Sequence, residues 1–256
     1  MVKVIMHGCC GRMGVMISQI VEEDKDVEIV AGVDVINNGK MSYKVYDKIS
    51  DVTEKADVII DFSRADAVDE MLDYAVAKKI PVVLCTTGLS EECLKKVNET
   101  SEKIAILRSA NMSLGINLLM KLLKDAAAVL APSGFDIEVV EKHHRMKLDA
   151  PSGTAIALAD AINEEFDNEY EYVYDRSERR MKRPDKEIGI SAVRGGTIVG
   201  DHDVIFAGND EVITLSHTAY SRAVFAKGAV SAAKFLFNKE KGMYNMSDVI
   251  SENLGK

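Results

Sequence analysis

Residues 2–14, VKVIMHGCCGRMG, decide the fold of the amino-terminal half of the chain. The stretch begins with an apolar run containing β-branched residues, which predicts a short strand. It continues as G-x-x-G-x-x-G, with glycines at positions 8, 11 and 14, and then opens an amphipathic helix. Such a turn lets the backbone approach a pyrophosphate, and the helix N-terminus offers free N–H groups to the anion. We therefore predict a dinucleotide-binding loop here.

Asp34 supports this interpretation. It lies twenty positions after Gly14, at the end of a second predicted strand, residues 27–33. An acid at this spacing bonds the ribose hydroxyls of the adenosine half of a dinucleotide. A glycine-rich turn and an ordinary strand-end aspartate are the alternative.

Two later loops also follow predicted strands. They are residues 85–88, CTTG, and residues 109–112, SANM. Because ligands of parallel sheets bind beyond the carboxyl ends of the strands, hydroxyl and amide groups in these loops are expected near the nicotinamide half. Simple turn chemistry remains the alternative for each loop.

Strands alternate with helices over the first ~110 residues, which predicts a parallel sheet covered on both faces. We expect an α/β fold with a Rossmann-type dinucleotide-binding domain at residues 1–111, to which residues 223–256 return. The predicted strands are residues 2–6, 27–33, 58–62, 81–85 and 104–107.

The pattern changes after Asn111. A long helix is predicted over residues 113–130, and the following strands alternate apolar and polar residues, which is typical of sheets with one packed face. We expect an α+β substrate-binding and oligomerisation domain at residues 112–222, with a mixed, largely antiparallel sheet. The basic run 179–183 is expected to be solvated. The predicted strands are residues 136–141, 171–175, 188–193, 203–207 and 211–217.

Composition excludes several classes of protein. The 256 residues include 32 basic and 41 acidic side chains, a net charge of −9, which argues against a general nucleic-acid binder. No apolar run approaches eighteen residues, so we expect no membrane-spanning helix. The first residues lack the features of a signal peptide, and the four cysteines lack C-x-x-C spacing. We expect a cytoplasmic protein without a metal site.

A second chemical signal lies at residues 141–154, EKHHRMKLDAPSGT. The stretch concentrates basic side chains in an otherwise acidic protein. Such a local positive charge suits a small dicarboxylate ligand. If the preceding strand continued, His143, Arg145 and Lys147 would share one face. His143 or Lys147 can supply a proton, and residues 152–154 offer hydroxyl and N–H groups at a helix start. A solvated basic turn before an ordinary N-cap is the alternative.

Residues 138–155, EVVEKHHRMKLDAPSGTA, resemble the signature of the dihydrodipicolinate reductase family. The resemblance covers nearly the whole chain, including residues 11–14, 86–88 and 194–196. It implies an oxidoreductase of lysine and diaminopimelate biosynthesis. Such an enzyme uses NADH or NADPH to reduce 4-hydroxy-tetrahydrodipicolinate to tetrahydrodipicolinate, with release of water. It also implies a homotetramer assembled through the sheet of the second domain.

The resemblance also implies residue roles. His143 would be the catalytic acid/base and Lys147 the proton donor, while His144, Gly153 and Thr154 would bind the substrate carboxylates. The cofactor-binding residues would be Gly8, Cys9, Cys10, Gly11, Arg12, Met13, Asp34, Cys85, Thr86, Thr87, Ser109, Ala110, Asn111 and Met112.

One departure from the family bears on the cofactor. Many relatives carry an arginine directly after the ribose-binding acid, where this chain has Val35. An arginine there would pair with a 2′-phosphate, so Val35 favours NADH modestly, although Arg12 or Lys40 can still accept NADPH. Two alternatives stay open. Another two-domain dehydrogenase acting on a small carboxylate would not explain residues 143–154, and a non-catalytic nicotinamide sensor would not need His143 and Lys147.

Overall fold

The computed structural model describes residues 1–37, 39–174, 176–177 and 179–254, with the backbone alone for the last two. The chain divides into two compact units, Met1–Leu114 with Ala223–Lys256, and Gly115–Arg222. Gly255 and Lys256, the end of the segment predicted to return to the first domain, lie outside the described residues. Over the described ranges, no helix combines the length and the apolar character needed to cross a membrane.

The elements are named in chain order. The helices are α1 (Arg12–Glu22), α2 (Val68–Lys78), α3 (Glu91–Ser101), α4 (Leu114–Leu130), α5 (Gly153–Asn163), α6 (Ala223–Leu236) and α7 (Met246–Leu254). The strands are β1 (Val2–His7), β2 (Val27–Val33), β3 (Val45–Tyr46), β4 (Val58–Asp61), β5 (Val82–Leu84), β6 (Ala105–Arg108), β7 (Asp136–His143), β8 (Glu171–Val173), β9 (Glu187–Arg194), β10 (Gly200–Ala207), β11 (Val212–Ala219) and β12 (Gly242–Tyr244).

The first unit is built on a parallel sheet with the strand order β12-β6-β5-β4-β1-β2-β3. Successive residues of β1 point to opposite faces, so Val4 and Met6 pack in one apolar cluster and Ile5 in another. The first cluster includes residues of α1 and α6, and the second includes residues of α2 and α3. The predicted α/β fold with helices on both faces of a parallel sheet is confirmed.

The second unit contains a mixed sheet with the strand order β11-β10-β7-β9-β8. One face packs on α4 and α5 through side chains such as Leu123, Leu158, Val139 and Phe206. The predicted mixed, largely antiparallel sheet is confirmed. β10 is antiparallel to β7 and β11, whereas β9 is parallel to β7 and β8. β9 is parallel to β7 because the chain between them includes α5, and a long crossover of this kind joins parallel strands.

Each strand predicted from the sequence has a counterpart; β2 has the predicted ends, and the ends of the others are shifted. The strand predicted at residues 171–175 is β8, which ends at Val173, and Asp175 lies outside the described residues. The two edge strands of the first sheet, β3 and β12, were not predicted. They have two and three residues, which is too short for a periodic pattern.

The expectation of a solvated basic run is wrong for Arg183. Its side chain is only 16 % exposed and contacts the carboxylates of Glu138 and Glu187. It also donates a hydrogen bond to the carbonyl oxygen of Ile137 at 2.9 Å. The pairing of β7 with β9 brings these acceptors together from distant parts of the chain, and periodicity carries no signal of that pairing.

Candidate active site

The glycine-rich loop of the first unit links β1 to α1. Gly8 has φ +82°, and a Cβ at this position would overlap the carbonyl oxygen of Phe62. A Cβ at Gly14 would overlap the carbonyl oxygen of Gly8. Gly11 is the N-cap of α1 and has no side chain with which to satisfy the first N–H groups of the helix. A backbone cradle of this kind fits a phosphate group.

Asp34 follows β2 and faces a cavity of about 560 Å³, which Gly8, Cys10 and Gly11 also line. One oxygen of its carboxylate accepts a hydrogen bond from the backbone N–H of Cys10 at 2.8 Å. The other accepts one from the N–H of Ile36 at 3.1 Å. Each oxygen can accept a second bond, so a fixed carboxylate is presented to the hydroxyl groups of a ribose.

The other predicted cofactor residues of this loop differ in exposure. Cys9 is buried, Met13 is partly buried and Arg12 is exposed. Within the described residues, the lysine and arginine side chains that line the cavity are Lys48 and Arg64. The sequence had suggested Arg12 or Lys40 as the groups that could accept the 2′-phosphate of NADPH.

The two later loops follow β5 and β6, which are neighbouring strands with parallel register. Residues 85–87 and 109–112 therefore leave the sheet at the same edge. Thr86 is buried, and its hydroxyl has no hydrogen-bond partner among the described residues, as expected for a group that awaits a ligand. Asn111 and Met112 are buried as well; Cys85 and Ser109 are partly buried, and Thr87 and Ala110 are exposed.

Of the groups that could hold a metal ion, the described residues contain one, formed by Cys9, Cys10 and Asp34 with ligand atoms within 4.8 Å of one another. Burial raises the pKa of the Cys9 thiol, which disfavours the thiolate that binds metals. The group also sits at a helix N-terminus, which attracts anions. Both features fit a dinucleotide loop better than a cation site.

In the second unit, β7 carries the predicted catalytic histidine. Its inward-facing residues alternate as Ile137, Val139, Glu141 and His143, all of them buried. The inward face thus changes from apolar to polar along one strand. A buried carboxylate and a buried imidazole on adjacent inward positions need partners, because an unpaired buried polar group is costly.

Glu141 has those partners. Its Oε2 lies 2.6 Å from Nδ1 of His143, and its Oε1 accepts the backbone N–H of Ser152 at 2.9 Å. Arg194, from β9, donates to both oxygens at 2.7 Å each. Burial opposes ionisation of Glu141, but the hydrogen bonds from Arg194, His143 and Ser152 outweigh it, and the pKa of this carboxyl lies below its ordinary value.

The strand ends at His143, so His143, Arg145 and Lys147 do not continue along one strand face. The chain instead turns, with the N–H of Lys147 donating to the carbonyl oxygen of His144 at 3.1 Å. The ammonium group of Lys147 lies 2.9 Å from the carboxylate of Asp149 and lowers the pKa of that carboxyl. His144 and Arg145 line a cavity of about 630 Å³ that also includes Arg222.

Ser152 begins α5 as its N-cap, and its hydroxyl accepts the N–H of Ala155 at 3.2 Å. Gly153 is exposed and Thr154 partly buried at this helix start. His202 joins the cluster: its ring centroid lies 5.1 Å from that of His143, and its Nε2 lies 3.2 Å from the Ser152 hydroxyl. Burial lowers the pKa of His202 to about 4, so this ring is neutral near pH 7.

The structure therefore brings His143, His144, Lys147, Gly153 and Thr154 into one unit, on a single continuous segment. Glu141, Arg194 and His202 had no role predicted from the sequence. For Glu141 a signal existed, because extending the alternation of Ile137 and Val139 places residue 141 on the buried face. For Arg194 and His202 the sequence carried no such signal.

Comparison with known proteins gives a consistent result. A family profile described as "Dihydrodipicolinate reductase, N-terminus" matches residues 2–112, and one described as "Dihydrodipicolinate reductase, C-terminus" matches residues 115–250.

Among curated relatives, proteins named 4-hydroxy-tetrahydrodipicolinate reductase are similar along their whole length. The one from Caldanaerobacter subterraneus subsp. tengcongensis is 54 % identical over 98 % of this chain and 99 % of its own. The one from Clostridium tetani is 48 % identical over 98 % of both chains. Among solved structures, a dipicolinate-bound dihydrodipicolinate reductase from Paenisporosarcina sp. TG-14 has a TM-score of 0.79 and 27 % identity, covering 96 % of this chain and 97 % of that one.

Proposed function

The chain belongs to the dihydrodipicolinate reductase family, and we propose that His143 and Lys147 are the proton-transferring groups of its reaction. It is an oxidoreductase that reduces 4-hydroxy-tetrahydrodipicolinate to tetrahydrodipicolinate with release of water, a step of lysine and diaminopimelate biosynthesis. Its first unit contains the family's nicotinamide-dinucleotide domain.

The observation that carries this assignment is the constellation in the second unit. Nδ1 of His143 is bound to a buried carboxylate, Lys147 supplies an ammonium group, and α5 begins a few residues later. His144, with the helix-start residues Gly153 and Thr154, would hold the substrate carboxylates. The solved relative that binds dipicolinate supports a small dicarboxylate as the ligand of such a site.

The chemistry divides between these groups. Loss of water removes the substrate hydroxyl and a proton from the neighbouring carbon and leaves a conjugated C=C–C=N system. His143 takes up this proton and passes it to the departing hydroxyl. Reduction then needs one hydride and one proton. A bound reduced nicotinamide supplies the hydride, and Lys147 donates the proton to the negative charge that develops. Holding the dicarboxylate beside the basic side chains of residues 141–154 orients it for both steps.

Replacing Lys147 tests the assignment. We expect Lys147→Ala to lower kcat by about 10²- to 10⁴-fold, because positioned proton transfer contributes that much, while the Kd for NADH stays unchanged. The assay generates the substrate in place from pyruvate and aspartate semialdehyde with a synthase and follows loss of nicotinamide absorbance.

Lys142→Ala is the matched control, since this lysine belongs to the same basic segment but pairs with Asp203 at 2.9 Å. Its turnover should equal that of the wild type. Unchanged turnover in Lys147→Ala would refute the role of Lys147. A folded wild-type protein that binds NADH but never oxidises it would favour a nicotinamide sensor, or a dehydrogenase for another carboxylate.

For the cofactor, we propose a modest preference for NADH over NADPH. Asp34 presents a fixed carboxylate at the ribose position, and the following Val35 is 75 % exposed and carries no charge for a 2′-phosphate. Lys48 and Arg64 line the same cavity, so NADPH remains a usable substrate. The ratio of initial rates with the two cofactors in the same assay measures the preference directly.

We also propose that the enzyme is a cytoplasmic homotetramer. The first domain, residues 1–111 with 223–256, would bind the dinucleotide, and the second, residues 112–222, would bind substrate and form the assembly. Support comes from the sheet of the second unit, whose face opposite α4 and α5 exposes Val193 and Val212. Apolar side chains on a sheet face are typical of an interface. Light scattering coupled to size-exclusion chromatography gives the mass, and a monomer would contradict the proposal.

A further inference from the structure

Glu141 is a buried carboxylate in the candidate active site, and the proton transfers described above do not use it. It is fully buried on the inward face of β7, directly after apolar positions of the same face. Burying an ionised carboxylate is expensive unless every lone pair is used. A buried carboxylate at this position therefore points to a task that an apolar side chain could not perform.

The contacts of Glu141 are all made by hydrogen-bond donors. Its oxygens accept from the guanidinium of Arg194, from the backbone N–H of Ser152 and from His143. An ionised carboxylate can only accept, so Nδ1 of His143 must carry the hydrogen of that bond. In the neutral imidazole, Nε2 is then the proton acceptor.

The surroundings of Nε2 agree with this orientation. A Cβ placed on Gly200 would lie 3.0 Å from Nε2 of His143, so the glycine leaves space beside this nitrogen. The edge of the ring is fixed from another side by His202, at an interplanar angle of 75°. The imidazole is held by a carboxylate at one nitrogen and left with room at the other.

The same carboxylate also holds the start of α5. Glu141 accepts the N–H of Ser152, the N-cap residue of this helix. Arg194 extends the restraint, since it donates to the carbonyl oxygen of Asp149 at 2.7 Å. One ion pair thus connects the imidazole on β7 with two points, Asp149 and Ser152, of the segment that leads to Gly153 and Thr154.

We propose that Glu141 is a positioning residue that fixes the tautomer of His143 and the start of α5 together, with Arg194 balancing its charge. This inference rests on the proposed roles of His143 and of the helix start. In this role, Glu141 affects the reaction through His143 and the start of α5 and does not itself contact the substrate.

The tautomer is the sharpest readout. ¹⁵N NMR of the imidazole nitrogens at neutral pH distinguishes Nδ1–H from Nε2–H, and a His143→Gln variant assigns the signal among the five histidines. We expect wild-type His143 to be the Nδ1–H form. Glu141→Gln should shift it towards Nε2–H, because an amide nitrogen has no lone pair for the donors that surround it. Wild-type His143 as Nε2–H would overturn the proposal without any variant.

Kinetics provide the second readout. We expect Glu141→Gln to lower kcat about 100-fold, the cost of misplacing a reacting group, and to raise the Kd for dipicolinate about tenfold, while the Kd for NADH is unchanged. Glu138→Gln is the matched control: it makes the same change on the same strand, at a carboxylate that contacts Arg183. The control should keep the wild-type tautomer, kcat and dipicolinate affinity.

If Glu141→Gln does not fold, Arg194→Lys replaces it. A single ammonium group keeps the charge but cannot bridge both carboxylate oxygens and Asp149, so dipicolinate binding should weaken while His143 stays Nδ1–H. Failure of this inference is distinct from failure of the proposed function. Glu141→Gln with wild-type tautomer and kcat would refute the positioning role, whereas full activity in His143→Gln would refute the catalytic assignment and leave the tautomer result standing.

Discussion

The two candidate anion-binding regions of this molecule differ in the groups that form them. The glycine loop of the first unit consists almost entirely of backbone, with Asp34 as its one fixed charge. The segment after β7 in the second unit depends on buried side chains, Glu141 and Arg194 above all. Both present N–H groups at a helix start, but the first depends on the absence of Cβ atoms and the second on a network of charges.

The difference has a physical consequence. The N–H groups of a backbone cradle do not titrate, but a single added methyl group can displace them. A side-chain network tolerates small changes of shape, but its strength varies with protonation. Three variants test this contrast, in order of decreasing expected effect.

The largest effect is expected for Gly8→Ala. The substitution places a Cβ against the Phe62 carbonyl oxygen and forces an alanine into left-handed backbone at φ +82°. We expect the Kd for NADH to rise about 100-fold, equivalent to about 2.8 kcal/mol, because the N–H groups of the loop must move. Isothermal titration of NADH measures it.

Gly39→Ala is the control that separates the effect of backbone strain from the effect of displacing the N–H groups of the glycine-rich loop. Gly39 also has positive φ, +67°, but a Cβ there meets nothing within 4 Å. The Gly39→Ala substitution should lower the free energy of unfolding by about 1 kcal/mol and leave the affinity for NADH unchanged. Equal losses of affinity in the two variants would show that the backbone geometry of Gly8 has no special role.

An intermediate effect is expected from the titration of His202 in the second region. Burial lowers its pKa from 6.5 to about 4, and the groups around it are His143, Glu141, His217 and Lys147. Between these values the unfolded chain binds a proton that the folded chain does not, so stability falls as pH drops from 6.5 towards 4. Lowering the pH by one unit within this window therefore costs at most about 1.4 kcal/mol of unfolding free energy.

Urea unfolding at several pH values measures this slope. His202→Gln should flatten the dependence in this window. His217→Gln, which replaces the register partner of His202 on β11, should flatten it less, because that ring is more exposed although burial lowers its pKa too. Identical slopes in the wild type and His202→Gln would show that protonation of His202 does not affect the stability of the protein.

The smallest effect is expected for Val35→Arg. Val35 is exposed beside Asp34, and an arginine there can pair with a 2′-phosphate in a well-solvated setting. Exposed ion pairs contribute up to about 1 kcal/mol, so the ratio of kcat/KM for NADPH over NADH should rise about fivefold. Val129→Arg adds the same charge at an exposed position of the second unit and should leave the ratio unchanged. An unchanged ratio in Val35→Arg would show that residue 35 does not set the preference.

Much of the first region was predictable because its signal is local. The strand, the glycine spacing and the position of Asp34 all lie within 34 residues, and each has one conformational reason. The edge strands β3 and β12 escaped prediction, since their pairing depends on β2 and β6, not on their own few residues. The identity and order of the basic segment were equally plain in the sequence, but its shape was not, because the strand ends at His143 and a turn follows.

The sequence by itself determined the alternation of strands and helices, the glycine-rich backbone turn and the residues proposed for the second anion site. These follow from periodicity, from glycine's missing Cβ and from side-chain chemistry, which act over a few residues. Only the tertiary structure decided which groups meet inside the second unit. Arg194 and His202 lie 53 and 61 positions from Glu141 and reach the cluster through the pairing of β9 and β10 with β7. Strand pairing at such separation is set by the packing of the whole sheet, and no local pattern encodes it.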